Sequence, residues 1–238
     1  MTERTWEKYG AATGIAFGIL LLVAVFMVPN PPHIDASANK IASFYGDHRH
    51  AVLWANVVGT LSAVAAVLFI CHLRHVFDRV EGGVEGISTV VFGTGLVAVA
   101  FAALSGILQS AMALMSAQPG GGLGDAGLVR ALYDIGYVGN GVAFMFVAAW
   151  LGAVAVGMVR GEVASPALGW FGGLVGVACV AAGVSWMTVG NYTTGWTIVS
   201  FVALIGLAAW DIVAGAVMMR RPAVEAMSSH HSLIGSTT

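Results

Sequence analysis

Six long apolar runs, at 11–28, 51–73, 87–115, 131–159, 168–189 and 196–219, divide the chain, and nearly all of its charge lies between them. A bilayer core about 30 Å thick takes about 20 helical residues, so each run is near or beyond the length needed to cross. The runs lack the alternation of a barrel strand, and in lipid each backbone N–H and C=O must be satisfied within its own segment, which leaves the helix. The pattern predicts an all-α polytopic membrane helix bundle with six transmembrane helices, a single domain over 1–220, and a flexible cytoplasmic tail over 221–238. The third and fourth runs are long enough to tilt or to project from the membrane. Composition agrees: 58% of the 238 residues are hydrophobic and 9% charged, too few to dress a water-exposed surface.

The basic residues set the orientation. With the N-terminus in the cytoplasm, Arg4, Lys8, Arg74, Arg79, Arg160, Arg220 and Arg221 lie inside and Lys40, Arg49 and Arg130 outside. Basic residues concentrate on the cytoplasmic side of membrane proteins, so both termini are expected there. Trp186 and Trp196 then bracket a short outer turn through Tyr192, and Trp170 starts the fifth span near the inner face, as interfacial aromatics do. The first run also has the basic start and apolar stretch of a signal peptide. Its small-residue site, Ala36-Ser37-Ala38, lies well past the run and after three prolines, so a retained span is the expectation. The net charge of −2 points to no nucleic-acid partner. Membrane lipids and other membrane subunits are the expected partners.

Two outer segments exceed a turn. In the first, Pro29-Asn30-Pro31-Pro32 must leave the helix. A short extracytoplasmic amphipathic helix should follow, capped by Asp35, with Ile34, Ala38, Ile41, Phe44 and Tyr45 at helical spacing and Gly46 ending it in a left-handed conformation. The second, 116–130, holds Gly122-Leu123-Gly124-Asp125-Ala126-Gly127. This spells GxGxxG without the strand that a dinucleotide fingerprint requires. Asn191-Tyr192-Thr193 is a glycosylation match that matters only in a eukaryotic secretory host.

Gly10, Gly14 and Gly18 recur every four residues, as do Gly169 with Gly173 and Gly172 with Gly176. Each row occupies one helix face and allows close backbone approach, so spans one and five should pack tightly. Cys71 and Cys179 fall inside spans, form no CxxC, and read as buried small hydrophobes. No residue pattern repeats between the two halves of the chain, so an inverted duplication of three spans is unsupported.

Polar side chains at membrane depth are the default candidates for function. Asn56, Gln109, Asp134, Tyr137 and Asn140, with Tyr133, all fall in the outer half and suggest a ligand-binding pocket opening outward. Bland readings stand beside it: an i,i+4 ion pair of Asp134 with Arg130, and ordinary interhelical hydrogen bonds for the three carboxamides. Asp211 lies nine residues before Arg220, about 13 Å along a helix. It needs a partner, water or a proton, which makes it either a protonated structural group or a proton-coupling acid. Asp47-His48-Arg49-His50 with His33 supplies donors for a metal but lacks constrained spacing. There is no HExxH, no Ser, His and Asp set at one depth, no second intramembrane histidine for haem, and no intramembrane lysine for a Schiff base. No metal and no cofactor is expected.

Ile34-Asp35-Ala36-Ser37-Ala38, Ile41-Ala42-Ser43-Phe44-Tyr45 and Asp47-His48-Arg49 after span one, with Arg160-Gly161, Pro166, Leu168-Gly169-Trp170 and Gly172 before span five, resemble an uncharacterised, mostly actinobacterial family of six-helix membrane proteins. The resemblance runs over most of residues 11–220 and implies a bacterial plasma-membrane location and six spans. It implies no site residues, and members often carry a bulkier basic residue near Pro166 where this chain has Ser165 and Ala167. Three function classes remain: a non-catalytic accessory subunit or binder of a lipophilic small molecule; a proton-coupled secondary transporter using Asp211 and the outer polar group; and an intramembrane enzyme with the outer histidines and Asp134 around a metal. The first is the expectation.

Overall fold

The structure, a computed structural model, describes residues 3–80, 86–117, 123–160, 164–188 and 193–220. The expected tail, the Asn191-Tyr192 pair and part of the GxGxxG stretch lie outside these residues. Seven α-helices follow in order: α1 (Glu3–Met27), α2 (Ala38–Asp47), α3 (Arg49–Val80), α4 (Ile87–Met115), α5 (Ala126–Val159), α6 (Pro166–Gly183) and α7 (Thr194–Arg220), with a 3-10 turn at Ser185–Thr188. There is no strand among the described residues. All the helices except α2 give segments long and apolar enough to cross a membrane.

The six long helices close into a ring. Each packs on the next along the chain, α1 on α3, α3 on α4, and so on to α6 on α7, and α7 returns to α1. One end of the ring carries both described chain ends, and α2 caps the other. Short connections make neighbours antiparallel, as in other bundles. Aromatic side chains fill the axis. Phe69, Trp150 and Trp210 meet there from α3, α5 and α7, with Trp150 and Trp210 edge to face at 5.5 Å and Phe69 6.5 Å from Trp210. Trp210 Nε1 donates to Leu168 O at 3.1 Å, which satisfies a buried indole.

Lipid tails are as apolar as leucine, so helix association here depends on close packing and hydrogen bonds rather than on leaving water. The glycine rows lie at the contacts. A Cβ on Gly10 would meet the His72 ring, one on Gly14 the Phe69 ring at 2.7 Å, and one on Gly18 the Ala208 carbonyl oxygen at 2.6 Å. A Cβ on Gly169 would sit 2.9 Å from Ala155 O, and one on Gly172 2.7 Å from Trp210 Nε1. Gly173 and Gly176 face α5 more loosely, 3.9 and 3.5 Å from Ala155 Cβ and Ala148 O. Ser62 Oγ donates to Phe17 O at 3.1 Å and Ser105 Oγ to Gly136 O at 3.0 Å, tying α3 to α1 and α4 to α5.

Several local expectations differ from the structure. Helices outrun their apolar runs at polar ends, because hydrogen bonding continues past the apolar stretch: α3 goes on to Val80 and α1 begins by Glu3. The fifth run ends its α-helix at Gly183 and finishes in the 3-10 turn. α2 is capped by Ser37 instead of Asp35. Ala36 N bonds His33 O at 2.9 Å, so the chain is still turning at Asp35, and Ser37 Oγ accepts from Lys40 N at 3.3 Å. Gly46 is helical, and among the described residues the only non-glycine one with positive φ is Asn30, at 41°. Asparagine tolerates that region, and the following Pro31 disfavours the right-handed alternative. Cys179 is buried, but Cys71 is exposed, on the outward face of α3 with Val64 and Leu68.

Candidate functional site

At the capped end a second apolar cluster sits above the axial aromatics. Ile41, Phe44 and Tyr45 of α2 pack against Val52, Met112, Val129 and Tyr133 from α3, α4 and α5. The α2 helix packs chiefly against these three helices, so the cap lies over their side of the ring. Polar contacts lock it. Tyr133 Oη donates to Pro32 O, Arg130 Nη1 donates to Ala36 O at 2.9 Å, and Ser116 Oγ donates to Tyr45 O at 3.3 Å. Burial pushes the Tyr45 phenol pKa upward. Tyr133→Phe leaves a buried carbonyl without that donor, which costs about 1 kcal/mol. Amide exchange over 33–45 is therefore expected to speed up several-fold, as read by hydrogen–deuterium exchange; unchanged exchange would show that the contact does not hold the cap.

Two of the five side chains expected in a pocket are engaged near the cap, Asp134 by its own helix and Tyr137 by the cap cluster. Arg130 Nε donates to Asp134 Oδ2 at 2.9 Å, and the Tyr137 ring lies 6.3 Å from that of Tyr133. Asn56 bonds its own helix, Nδ2 to Val52 O at 3.0 Å, with Oδ1 pointed at Gly106 of α4. Gln109 and Asn140 remain. Neither makes a hydrogen bond to any described residue.

Asn140 is the most informative of them. Its neighbour Gly139 faces α4, where an added Cβ would lie 3.0 Å from Ser105 Oγ. Gly141 faces α6, where a Cβ would lie 2.9 Å from Gly183 O and 2.6 Å from the Trp186 ring. At 100° per residue, Asn140 points between those two contacts, on the stripe of buried Gly136, Ala143 and Phe144. That direction is the bundle axis. A side chain there should be covered, yet Asn140 is exposed.

Two other helices show the same gap. Ala102 of α4 shares the inward stripe of Ala98 and Ser105, both buried, and is exposed. Register with α5, fixed by Gly139 against Ser105 and Gly136 against Leu108, brings Ala102 to within about 3 Å of the level of Asn140 at 1.5 Å per residue. Gly59 of α3 shares the stripe of buried Ala55, Ser62 and Ala66, and nothing lies within 4 Å of the place where its Cβ would be. The interior is thus incompletely filled between the cap and the aromatic floor. Gly59, Ala102 and Asn140 border the gap, with Gln109 about two turns above on the same face of α4. The sequence shows the carboxamides but not the gap. Gly59 and Ala102 look like ordinary small packing residues, and only the phase of each helix against its neighbours reveals what they face.

Asp211 lies elsewhere, beside Trp210 in the layer of the aromatic floor. It is fully buried, and neither carboxyl oxygen has a hydrogen-bond partner among the described residues. Toward the terminal end, Arg79 pairs with Glu7 at 2.5 Å, and Glu7 is only 4% exposed. Glu7 shares the face of Ala11, Gly14 and Gly18, a signal the sequence contained.

Outside the bundle, the Asn30–His33 turn and α2 enclose a cleft of about 410 Å³ faced by Lys40, Asp47 and His48. His48 stacks on Phe44 at 4.7 Å with Nδ1 3.2 Å from Phe44 O. Among the described residues no three His, Cys, Asp or Glu side chains are placed to hold a metal ion together. No protein-family model matches the chain, nor does any curated protein or any solved structure.

Proposed function

We propose that the chain is a non-catalytic multi-pass protein of the bacterial plasma membrane, both termini cytoplasmic, that holds a lipophilic small molecule in the axial gap beneath its cap, alone or as an accessory subunit of a larger membrane assembly. The exposure of Asn140 on the axis-facing stripe of α5 carries this reading. A well-packed interior leaves few voids, and ligand sites in bundles form between helices from apolar walls with a few polar groups. Here the walls are small side chains and the polar groups two free carboxamides. The excess of basic residues at the terminal end supports the orientation.

Gly59→Leu tests it. The added side chain enters open space, and replacing a helical glycine favours the helix by about 0.5–1 kcal/mol. The variant is expected to keep or raise the thermal midpoint while losing at least tenfold in retention of the co-purifying lipophile, measured by native mass spectrometry in mild detergent. Undiminished retention would place the ligand elsewhere. Co-purification of a stoichiometric unrelated protein would support the subunit form.

Asp211 favours a second reading, a proton-coupled secondary carrier. A fully buried carboxyl without a partner suits a group that gains and loses a proton. In that case Asp211→Asn abolishes substrate flux in proteoliposomes while binding in the gap persists.

A further inference from the structure

We propose that the axial gap selects an uncharged lipid whose head group carries carbonyl or hydroxyl oxygen, of the kind found in quinones and long-chain isoprenoid alcohols. The inference rests on the reading of the gap as a binding site and names what enters it. The first observation is the absence of charge around it. Segments 9–27, 51–71, 87–115, 135–159, 166–188 and 195–210, the stretches of the six long helices around this depth, contain no Asp, Glu, Lys, Arg or His. Arg130 above is bonded to the cap and pairs with Asp134 Oδ2, Asp134 pointing about 120° away from Asn140 around α5, and Asp211 belongs to the aromatic floor. A charged head group would enter without a counter-charge and lose its hydration, a large penalty at membrane depth. A neutral one escapes it.

The second observation is the kind of polar group present. A carboxamide offers two N–H donors and one carbonyl acceptor. Gln109 and Asn140 make no hydrogen bond to described residues. Contact of Leu108 with Gly136 sets the α4–α5 register, which puts Gln109 and Asn140 roughly 8 Å apart along the axis at 1.5 Å per residue. They can therefore address two oxygens, or an oxygen and a bridging water, on one elongated molecule. The Trp186 ring packs against Gly141, the residue after Asn140, and puts a flat apolar side chain at that depth. Carboxamides with an aromatic ring at their depth and no charge match an oxygen-bearing neutral head with an apolar tail.

The test is equilibrium binding to the full chain in detergent, with probes of similar tail length: decylubiquinone and farnesol as neutral oxygen-bearing lipids, decyltrimethylammonium and decanoate as charged ones, and decylbenzene as a neutral lipid lacking oxygen. Decylubiquinone or farnesol is expected to bind at least tenfold more tightly than the other three, and the preference between these two identifies the head. Asn140→Leu and Gln109→Leu should each weaken that binding about tenfold while leaving decylbenzene unchanged. Equal or tighter binding of either charged probe, or of decylbenzene, overturns the proposal while the gap remains a binding site, provided that Gly59→Leu abolishes it. Failure of all five probes in wild-type protein, with no effect of Gly59→Leu, overturns both.

Discussion

Gly215→Leu is expected to prevent the ring from closing, with a loss of roughly 3 kcal/mol or more, the upper end for forcing extra atoms into a packed interior. A Cβ at Gly215 would lie 2.6 Å from Ala11 O and 3.0 Å from Ile15 N. Both are backbone atoms of α1, so no rotamer change relieves the clash and the helix itself must move. The reciprocal contact is equally close, since a Cβ at Gly18 would lie 2.6 Å from Ala208 O of α7. Each helix thus presents a glycine to the other's backbone, and this pair joins the last span to the first. The thermal midpoint in detergent should fall sharply and the size-exclusion profile should broaden, in contrast to Gly59→Leu, whose new side chain meets nothing. Two glycines with identical local propensity then differ in outcome solely through what lies opposite. A midpoint for Gly215→Leu close to that of the wild type would mean that α1 and α7 are not in backbone contact.

That contrast also marks how far the sequence could be read. The six crossings were legible because lipid imposes a length and an apolarity on every segment; α4, with no charged residue anywhere in it, occupies the predicted 87–115. Polar ends were less legible. At Glu7 the helix continues through charged residues because Arg79 of α3 lies opposite, and a run-based boundary cannot know of a partner 72 residues away. The α2 helix was predictable from its apolar stripe, but its start depended on whether Asp35 or Ser37 came free of the preceding turn, and the His33–Ala36 hydrogen bond decided that. The polar group on α3, α4 and α5 was visible as residue types at one depth. Which members stay free was not, because Asp134 and Asn140, six residues apart, point about 120° apart around one helix and meet different surroundings. Arg130, itself bonded to the cap, meets the first; the gap meets the second.

Asp211→Val is expected to make the protein more stable. Burying a polar group without a hydrogen bond costs about 1–3 kcal/mol by protein mutational measures, and both oxygens of Asp211 are buried and unpartnered among the described residues. Valine has a similar volume and no polar atom, so it fits this buried position with at most modest repacking. Asp211→Asn is the control, since it keeps the shape and keeps unpaired polar atoms. It should leave the thermal midpoint near that of the wild type, while Asp211→Val raises it. A lower midpoint for Asp211→Val would mean that the carboxyl has a partner at this depth, such as an ordered water or a bound ion. A residue that costs stability where an apolar one would serve is retained when activity needs it. The stabilised Asp211→Val protein is therefore the better test of the coupled-carrier reading than a disruptive variant: transport lost in a more stable protein cannot be ascribed to misfolding, and transport retained in it would remove Asp211 from the mechanism.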